Sequence, residues 1–135
     1  MITKKAGCVL INIDKSEVAI IYRDHLNDYS FPKGHLEQNE TFEECAIRET
    51  AEETKRDAEI IKNVKPYINE YTTPKGEKCK CYMYLAKDLG KSDNDSTDTH
   101  KTIWVPFNKV EELLTYPSLI KTWNYFKKYI NIYIN

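Results

Sequence analysis

The rhythm of apolar and polar positions changes several times along the chain. Residues 6–13 (AGCVLINI) and 17–23 (EVAIIYR) are rich in branched and aromatic side chains, and Asp14-Lys15-Ser16 parts them, which predicts a β-hairpin. Residues 23–29 are polar and read as loop, and Pro32 and Gly34 break any regular element between 31 and 35. From Phe42 to about Arg56 no Gly or Pro interrupts. Thr41, with Glu44 three positions on, forms the capping-box pattern, so a helix is predicted there. Residues 58–64 and 67–71 read as strands on either side of Pro66, residues 73–76 (TPKG) as a turn, and residues 79–86 as an alternating strand. The polar, acidic stretch 87–100 (KDLGKSDNDSTDTH) predicts a mobile loop. A short strand at 102–107 follows. Asn108 with Glu111 repeats the capping box ahead of a short helix, and Ser118 is placed to cap a last one. There Leu119, Trp123, Phe126 and Ile130 recur at intervals of four, three and four, the stripe of a helix packed on a core. Strands before, around and after one central helix, with more helix at the end, predict an α/β fold: a mixed sheet covered by helices.

Composition narrows the classes. A length of 135 residues predicts a single domain spanning residues 1–135, and a hydrophobic share of 41% suffices for a real core. The formal charge of −1 supplies no global basic field. No strong nucleic-acid footprint is therefore expected, and any anion-binding surface must be local. The spacing Cys79-x-Cys81 is too short for the usual CxxC metal knuckle and no His lies near, so Cys8, Cys45, Cys79 and Cys81 are expected to be reduced thiols. No segment approaches the ~20 apolar residues that span a bilayer, and the opening MITKKAGCVLIN lacks signal-peptide architecture. The expectation is a soluble, cytoplasmic protein with no membrane partner, either monomer or homodimer.

One segment resists this neutral picture. Residues 31–54 are crowded with Glu against only Lys33 and Arg48. On a helical wheel Phe42, Cys45, Glu49, Glu52 and Glu53 fall on one side, and Ile47, Ala51 and Thr54 on the other, which is the side expected to bury. Glu49 lies three and four positions from Glu52 and Glu53, so these carboxylates are neighbours and repel by a few tenths of a kcal/mol per pair. The negative end of the helix dipole makes them still less favourable. A divalent cation among them would reverse the repulsion, and oxygen donors favour Mg²⁺, Mn²⁺ or Ca²⁺ over zinc. A solvated acidic face is the competing explanation of the helix alone. Lys33 and His35, flanking Gly34 just ahead of the helix, add a cradle suited to phosphate oxygens.

The spacing Gly34, five residues, Glu40, seven residues, Arg48-Glu49-Thr50-Ala51-Glu52-Glu53 resembles the signature box of the Nudix hydrolases. The resemblance implies an α/β/α sandwich with a mixed β-sheet, and hydrolysis of a nucleoside diphosphate linked to a further group. By position it implies that Glu49, Glu52 and Glu53 bind Mg²⁺ (or Mn²⁺), with the Gly34 carbonyl as a further ligand and Glu40 as a more remote or water-mediated one. Arg48 would pair with a box carboxylate and hold it in place. The catalytic base would be Glu52, Glu49 or an acid outside the box, for which Asp98 is the candidate. The pattern departs from the family where Gly and an aliphatic residue usually close it, because Lys55 and Arg56 stand there. A non-Gly residue at a left-handed position costs on the order of 1 kcal/mol, so a shifted or extended helix end is expected.

PKGH leading into the box is similar to the diadenosine tetraphosphate hydrolases and to the diphosphoinositol polyphosphate phosphohydrolases. The likeness implies that Lys33 and His35 contact phosphates, although His35 equally suits a structural hydrogen bond at the helix entry. Tyr71, Tyr82 and Tyr84 are candidates for stacking on a base, against ordinary sheet packing. Tyr82 and Tyr84 share a sheet face by period two. The implied function is Mg²⁺-dependent cleavage of an asymmetric dinucleoside polyphosphate, diadenosine tetraphosphate to ATP and AMP. The same chemistry on a modified nucleoside triphosphate, an inositol pyrophosphate or a capped RNA is the alternative, though capped RNA usually requires a basic groove. A non-catalytic nucleotide-binding module is a third reading. Lys55-Arg56 favours it and the intact carboxylates oppose it.

Overall fold

Two long strands organise the chain, and their side chains alternate between two cores. The computed structural model describes residues 1–134, in which β1 Thr3–Asn12, β2 Glu17–Arg23, β3 Asp28–Ser30, β4 Lys33–His35, α1 Phe42–Thr54, β5 Arg56–Ile60, β6 Tyr67–Thr72, β7 Lys78–Lys91, β8 Lys101–Pro106, α2 Val110–Leu113 and α3 Pro117–Ile134 follow one another. A 3₁₀ turn, Phe107–Lys109, precedes α2. The strands pair in the order β3-β2-β1-β7-β5, with β4 added to β1, β6 to β7 and β8 to β2. β1 and β7 run parallel from Thr3↔Cys79 to Ile11↔Lys87, while the other ladders are antiparallel, so the sheet is mixed as expected.

Val9 and Ile11 of β1 and Cys81, Met83 and Leu85 of β7 face one core with Leu119, Trp123, Phe126 and Ile130 of α3. Ala6, Cys8 and Leu10, with Tyr84 and Ala86, face the other, against Cys45 and Ala46 of α1. Helices therefore cover both faces of the sheet. The apolar stripe of α3 is buried as its spacing predicts, with Trp123 fully enclosed. All four cysteines are free thiols and buried. No helix among the described residues is long and apolar enough to cross a membrane.

Several boundaries differ from the sequence expectation, each for a physical reason. β7 does not stop at Ala86 but continues to Lys91, through the first five residues of the expected loop. Its polar end pairs backbone to backbone with β5, which begins at Arg56, so the ladder needs no apolar alternation there. β5 in turn ends at Ile60 instead of reaching Val64. The first capping box forms, with Glu44 N–H donating to Thr41 Oγ1 at 3.1 Å and Thr41 N–H to Glu44 Oε1 at 2.9 Å. The second does not: α2 starts after Lys109 with no side-chain cap. Phe107 is drawn away by its packing on Trp123 (5.7 Å between centroids) and its amide donates to the Ser16 carbonyl. α3 begins at Pro117, ahead of the expected cap at Ser118; proline suits a first helical position because its missing N–H would be unpaired there. α1 is neither shifted nor extended. It ends at Thr54, and Lys55 takes the left-handed conformation (φ 59°, ψ 32°) in place of glycine.

Candidate functional site

The buried face of α1 is made of small residues: Cys45, Ala46, Thr50, Ala51 and Thr54. Ile47, expected to bury, is instead an exposed apolar residue. The sheet contact lies further round the helix than the wheel division placed it, and the azimuths of Glu49 and Glu53 fall inside it. Small side chains let the helix approach the sheet closely, so these two carboxylates are pressed against the sheet's margin and not into a solvated face.

That margin is β4. It pairs antiparallel with β1, placing Gly34 opposite Ala6 and directly beneath Glu49. A Cβ at residue 34 would overlap the Glu49 carboxyl group, so the glycine is what allows this approach. Lys33 N–H donates to Glu53 Oε1 at 2.9 Å. The carbonyls of Gly34 and His35 accept weak bonds from the Cys45 thiol at 3.6 and 3.5 Å.

Arg48 gathers the remaining acids. Its guanidinium donates to both oxygens of Glu40 (2.6 and 3.0 Å), to Glu49 (3.0 Å), to Glu52 (3.1 and 3.2 Å) and to the His35 carbonyl (3.0 Å). It is only 21% exposed, so this is a partly desolvated network and more than a surface ion pair. The bond from Arg48 holds the Glu40 carboxyl below its ordinary range. Burial acts oppositely on the two carboxylates nearest the sheet: it pushes the Glu49 carboxyl up against the pull of Arg48, and the Glu53 carboxyl up to about 8.

A cationic flank stands across the sheet margin from α1, around Tyr71 on the face that packs with α3. The ammonium groups of Lys5 and Lys33 lie 5.6 and 5.7 Å from the centre of the Tyr71 ring. Among the described residues, the buried Tyr71 hydroxyl meets no hydrogen-bond partner. Arg23, bonded to Asp28 through both oxygens (2.8 and 2.7 Å), contributes positive charge near Glu53. The three candidate tyrosines are split between two faces. Tyr71 packs beside the α3 core, whereas Tyr82 and Tyr84 share the α1 face, Tyr82 stacked on Phe42 at 3.9 Å and Tyr84 within the core. The side chain of His35 is exposed, and its carbonyl is the part that enters the Arg48 network.

Asp98 lies in an exposed position between β7 and β8, and its charge adds to the field at Glu49. His100 Nε2 is 3.6 Å from Glu53 Oε2. Lys5, Arg23 and His100 are absent from the sequence reading. They reach the site through strand pairing and a long connection, and no local spacing in the sequence marks them.

The candidate donors, the Glu49, Glu52 and Glu53 carboxylates and the Gly34 carbonyl, are oxygens, a chemistry that suits a hard dication. Among the described residues no three His, Cys, Asp or Glu side chains are preassembled into a metal cage. Glu49 and Glu53 are nonetheless two adjacent, desolvated acids beside a glycine that a Cβ would spoil, and neutralising that pair is what a bound dication does. The residues therefore fit such an ion.

Comparison with known proteins bears on the family and the fold. The family model described as NUDIX domain matches residues 1–124. The 8-oxo-(d)GTP phosphatase of Mycolicibacterium smegmatis is 33% identical over 112 residues, covering 83% of this chain and 34% of its own length. The m7GpppN-mRNA hydrolase dcap-2 of Caenorhabditis elegans is 30% identical over 125 residues, covering 82% of this chain and 15% of its own. The chain thus spans about a third or less of the length of these two curated relatives. Among solved structures, a C. elegans Ap4A hydrolase binary complex superposes with a TM-score of 0.82 at 21% identity, covering 96% of this chain and 98% of that one. A NUDIX hydrolase from Nitrosomonas europaea gives 0.78 at 14%, covering 95% and 90%.

Proposed function

The chain belongs to the NUDIX domain family, and on that premise we propose that it is a divalent-metal-dependent pyrophosphohydrolase. It splits a P–O–P bridge in a nucleoside diphosphate linked to a further group. The substrate we assign is an asymmetric dinucleoside polyphosphate, with diadenosine tetraphosphate yielding ATP and AMP. The observation that carries this reading is the pairing of two desolvated carboxylates, Glu49 and Glu53, with a cationic flank of Lys5, Lys33 and Arg23 around Tyr71.

Glu49, Glu53, Glu52 and the Gly34 carbonyl would hold Mg²⁺, or Mn²⁺ in its place, with Glu40 acting through Arg48. Such an ion lowers the pKa of bound water and neutralises phosphate oxygens. The protein's own residues do the rest. Lys5, Lys33 and Arg23 attract and align a polyphosphate, and Tyr71 offers an aromatic face to a base. Arg48 fixes Glu49 and Glu52 relative to β4 through the His35 carbonyl. Glu52 or Asp98 takes the proton of the attacking water.

A second reading, hydrolysis of a modified nucleoside triphosphate, is favoured by the 33% identity to the 8-oxo-(d)GTP phosphatase. Incubating the protein and Mg²⁺ with diadenosine tetraphosphate, 8-oxo-dGTP and a diphosphoinositol polyphosphate, and separating products by chromatography, distinguishes these. ATP plus AMP supports the first reading, and ADP alone contradicts it. Faster release of pyrophosphate from 8-oxo-dGTP selects the second. No turnover of any substrate leaves a nucleotide-binding module without catalysis. Glu53→Gln and Glu52→Gln are expected to lower turnover by about 100-fold or more with the fold intact. Native rates in both variants would remove the metal-site assignment.

A further inference from the structure

The segment between β7 and β8 has the composition of a mobile loop, yet the structure shows it braced from within and tied at both ends. Every second residue carries a short polar side chain that accepts from the amide two positions on. Asn94 N–H donates to Ser92 Oγ (3.1 Å), Ser96 N–H to Asn94 Oδ1 (2.8 Å) and Asp98 N–H to Ser96 Oγ (3.1 Å). Such side-chain turns replace a ladder where no strand partner exists.

The same stretch closes the open end of α1. A helix leaves its last carbonyls unpaired. Here Thr99 Oγ1 donates to the Glu52 carbonyl (3.3 Å), His100 N–H to the Glu53 carbonyl (3.0 Å) and Ser92 N–H to the Lys55 carbonyl (2.9 Å). One side chain grips the middle: Lys55 Nζ donates to the carbonyls of Asn94 (3.0 Å) and Ser96. The residue doing so is the one that ends α1 in a left-handed conformation, where glycine would be unstrained and could make no such grip.

We propose that Lys55 is a positioning residue: its ammonium fastens residues 92–98 to the end of α1 and so sets where Asp98 and His100 stand against Glu49 and Glu53. A backbone preference is given up there for a tether, which accounts for a cation at a position the box usually fills with glycine. The role in the reaction rests on the hydrolase reading above, while the tether itself does not.

Lys55→Gly separates a tether from a merely structural cap, because glycine relieves the backbone while deleting the grip. Hydrogen exchange, thermal melting and kinetics are to be measured on the parent, Lys55→Gly and Lys55→Arg. In Lys55→Gly the amides of Ser92 and His100 should exchange about tenfold faster. The melting temperature should hold or rise. The kcat should fall about tenfold with KM little changed, as when a catalytic group loses its placement. Lys55→Arg, which can reach both carbonyls, should restore exchange and kcat together. Unchanged exchange in Lys55→Gly overturns the tether. Faster exchange with native kcat overturns the positioning role. A parent that turns over nothing refutes the hydrolase reading, and the exchange result still decides the tether.

Discussion

Gly34 and Glu49 show how one missing atom makes a site. The glycine lies under the helix, and a methyl group there would meet the far end of a flexible side chain, not backbone. Gly34→Ala should therefore fold, losing no more than about 1 kcal/mol in chemical denaturation. Glu49 must swing away from β4 to admit the methyl, and on its proposed metal-holding role turnover should fall by about 10-fold or more, because alignment is lost. A variant with native turnover would show that Glu49 works from elsewhere. At this scale the sequence was informative wherever a residue's role follows from near neighbours. The spacing of Gly34, Glu40, Arg48, Glu49, Glu52 and Glu53 marked the acidic half of the candidate site; the structure gathers Glu40, Glu49 and Glu52 on Arg48, with Gly34 beneath Glu49 and Glu53 held separately by the Lys33 amide. Lys5 and Arg23 were not legible. Their place beside Tyr71 and Glu53 depends on which strands pair, a long-range outcome that no local spacing records.

α1 carries the acids, and its start and its end were legible to different degrees. The Thr41–Glu44 box forms with each side chain accepting from the other's amide. The Asn108–Glu111 box has the same letters and fails, because Phe107 packs on Trp123 and its amide is taken by the Ser16 carbonyl. Packing, with the apolar area it buries, overrode a local preference of about 1 kcal/mol. Thr41→Ala should accordingly cost about 1 kcal/mol of unfolding free energy, while Asn108→Ala should lie within about 0.5 kcal/mol of the parent. Equal losses in the two variants would mean that the second cap forms in solution. The same competition explains β7. Its Lys87–Lys91 end is polar, and composition reads such a stretch as loop. Backbone pairing with β5, pinned by Arg56 on Asp88 at 2.9 and 2.6 Å, makes it strand.

At the scale of the molecule, both cores share one sheet, so we propose that the described chain unfolds as a single cooperative unit. Asp28 tests this, because it joins layers that are far apart in sequence. It lies on β3, is 1% exposed, accepts both bonds from Arg23 of β2, and accepts a third from the Tyr116 hydroxyl (2.6 Å) at the threshold of α3. Burial alone would raise its carboxyl, but the bonds from Arg23 and Tyr116 outweigh that and hold it below the ordinary carboxylate range. A carboxyl with a lowered pKa in the folded state binds fewer protons there than when unfolded. Its stabilisation is thus complete above the ordinary carboxylate pKa and fades as pH falls through the lowered value. Asp28→Asn leaves Arg23 without its partner in a desolvated place and should cost about 3 kcal/mol at neutral pH. The gap between parent and variant should then narrow with acid as the parent loses what the variant never had. Melts followed by far-UV and near-UV circular dichroism across that range check both claims. A gap that is constant with pH would remove Asp28 from the acid response. Transitions that separate between the two signals would mean that the α3 layer comes away before the sheet, and that the cores are less coupled than their shared strands require.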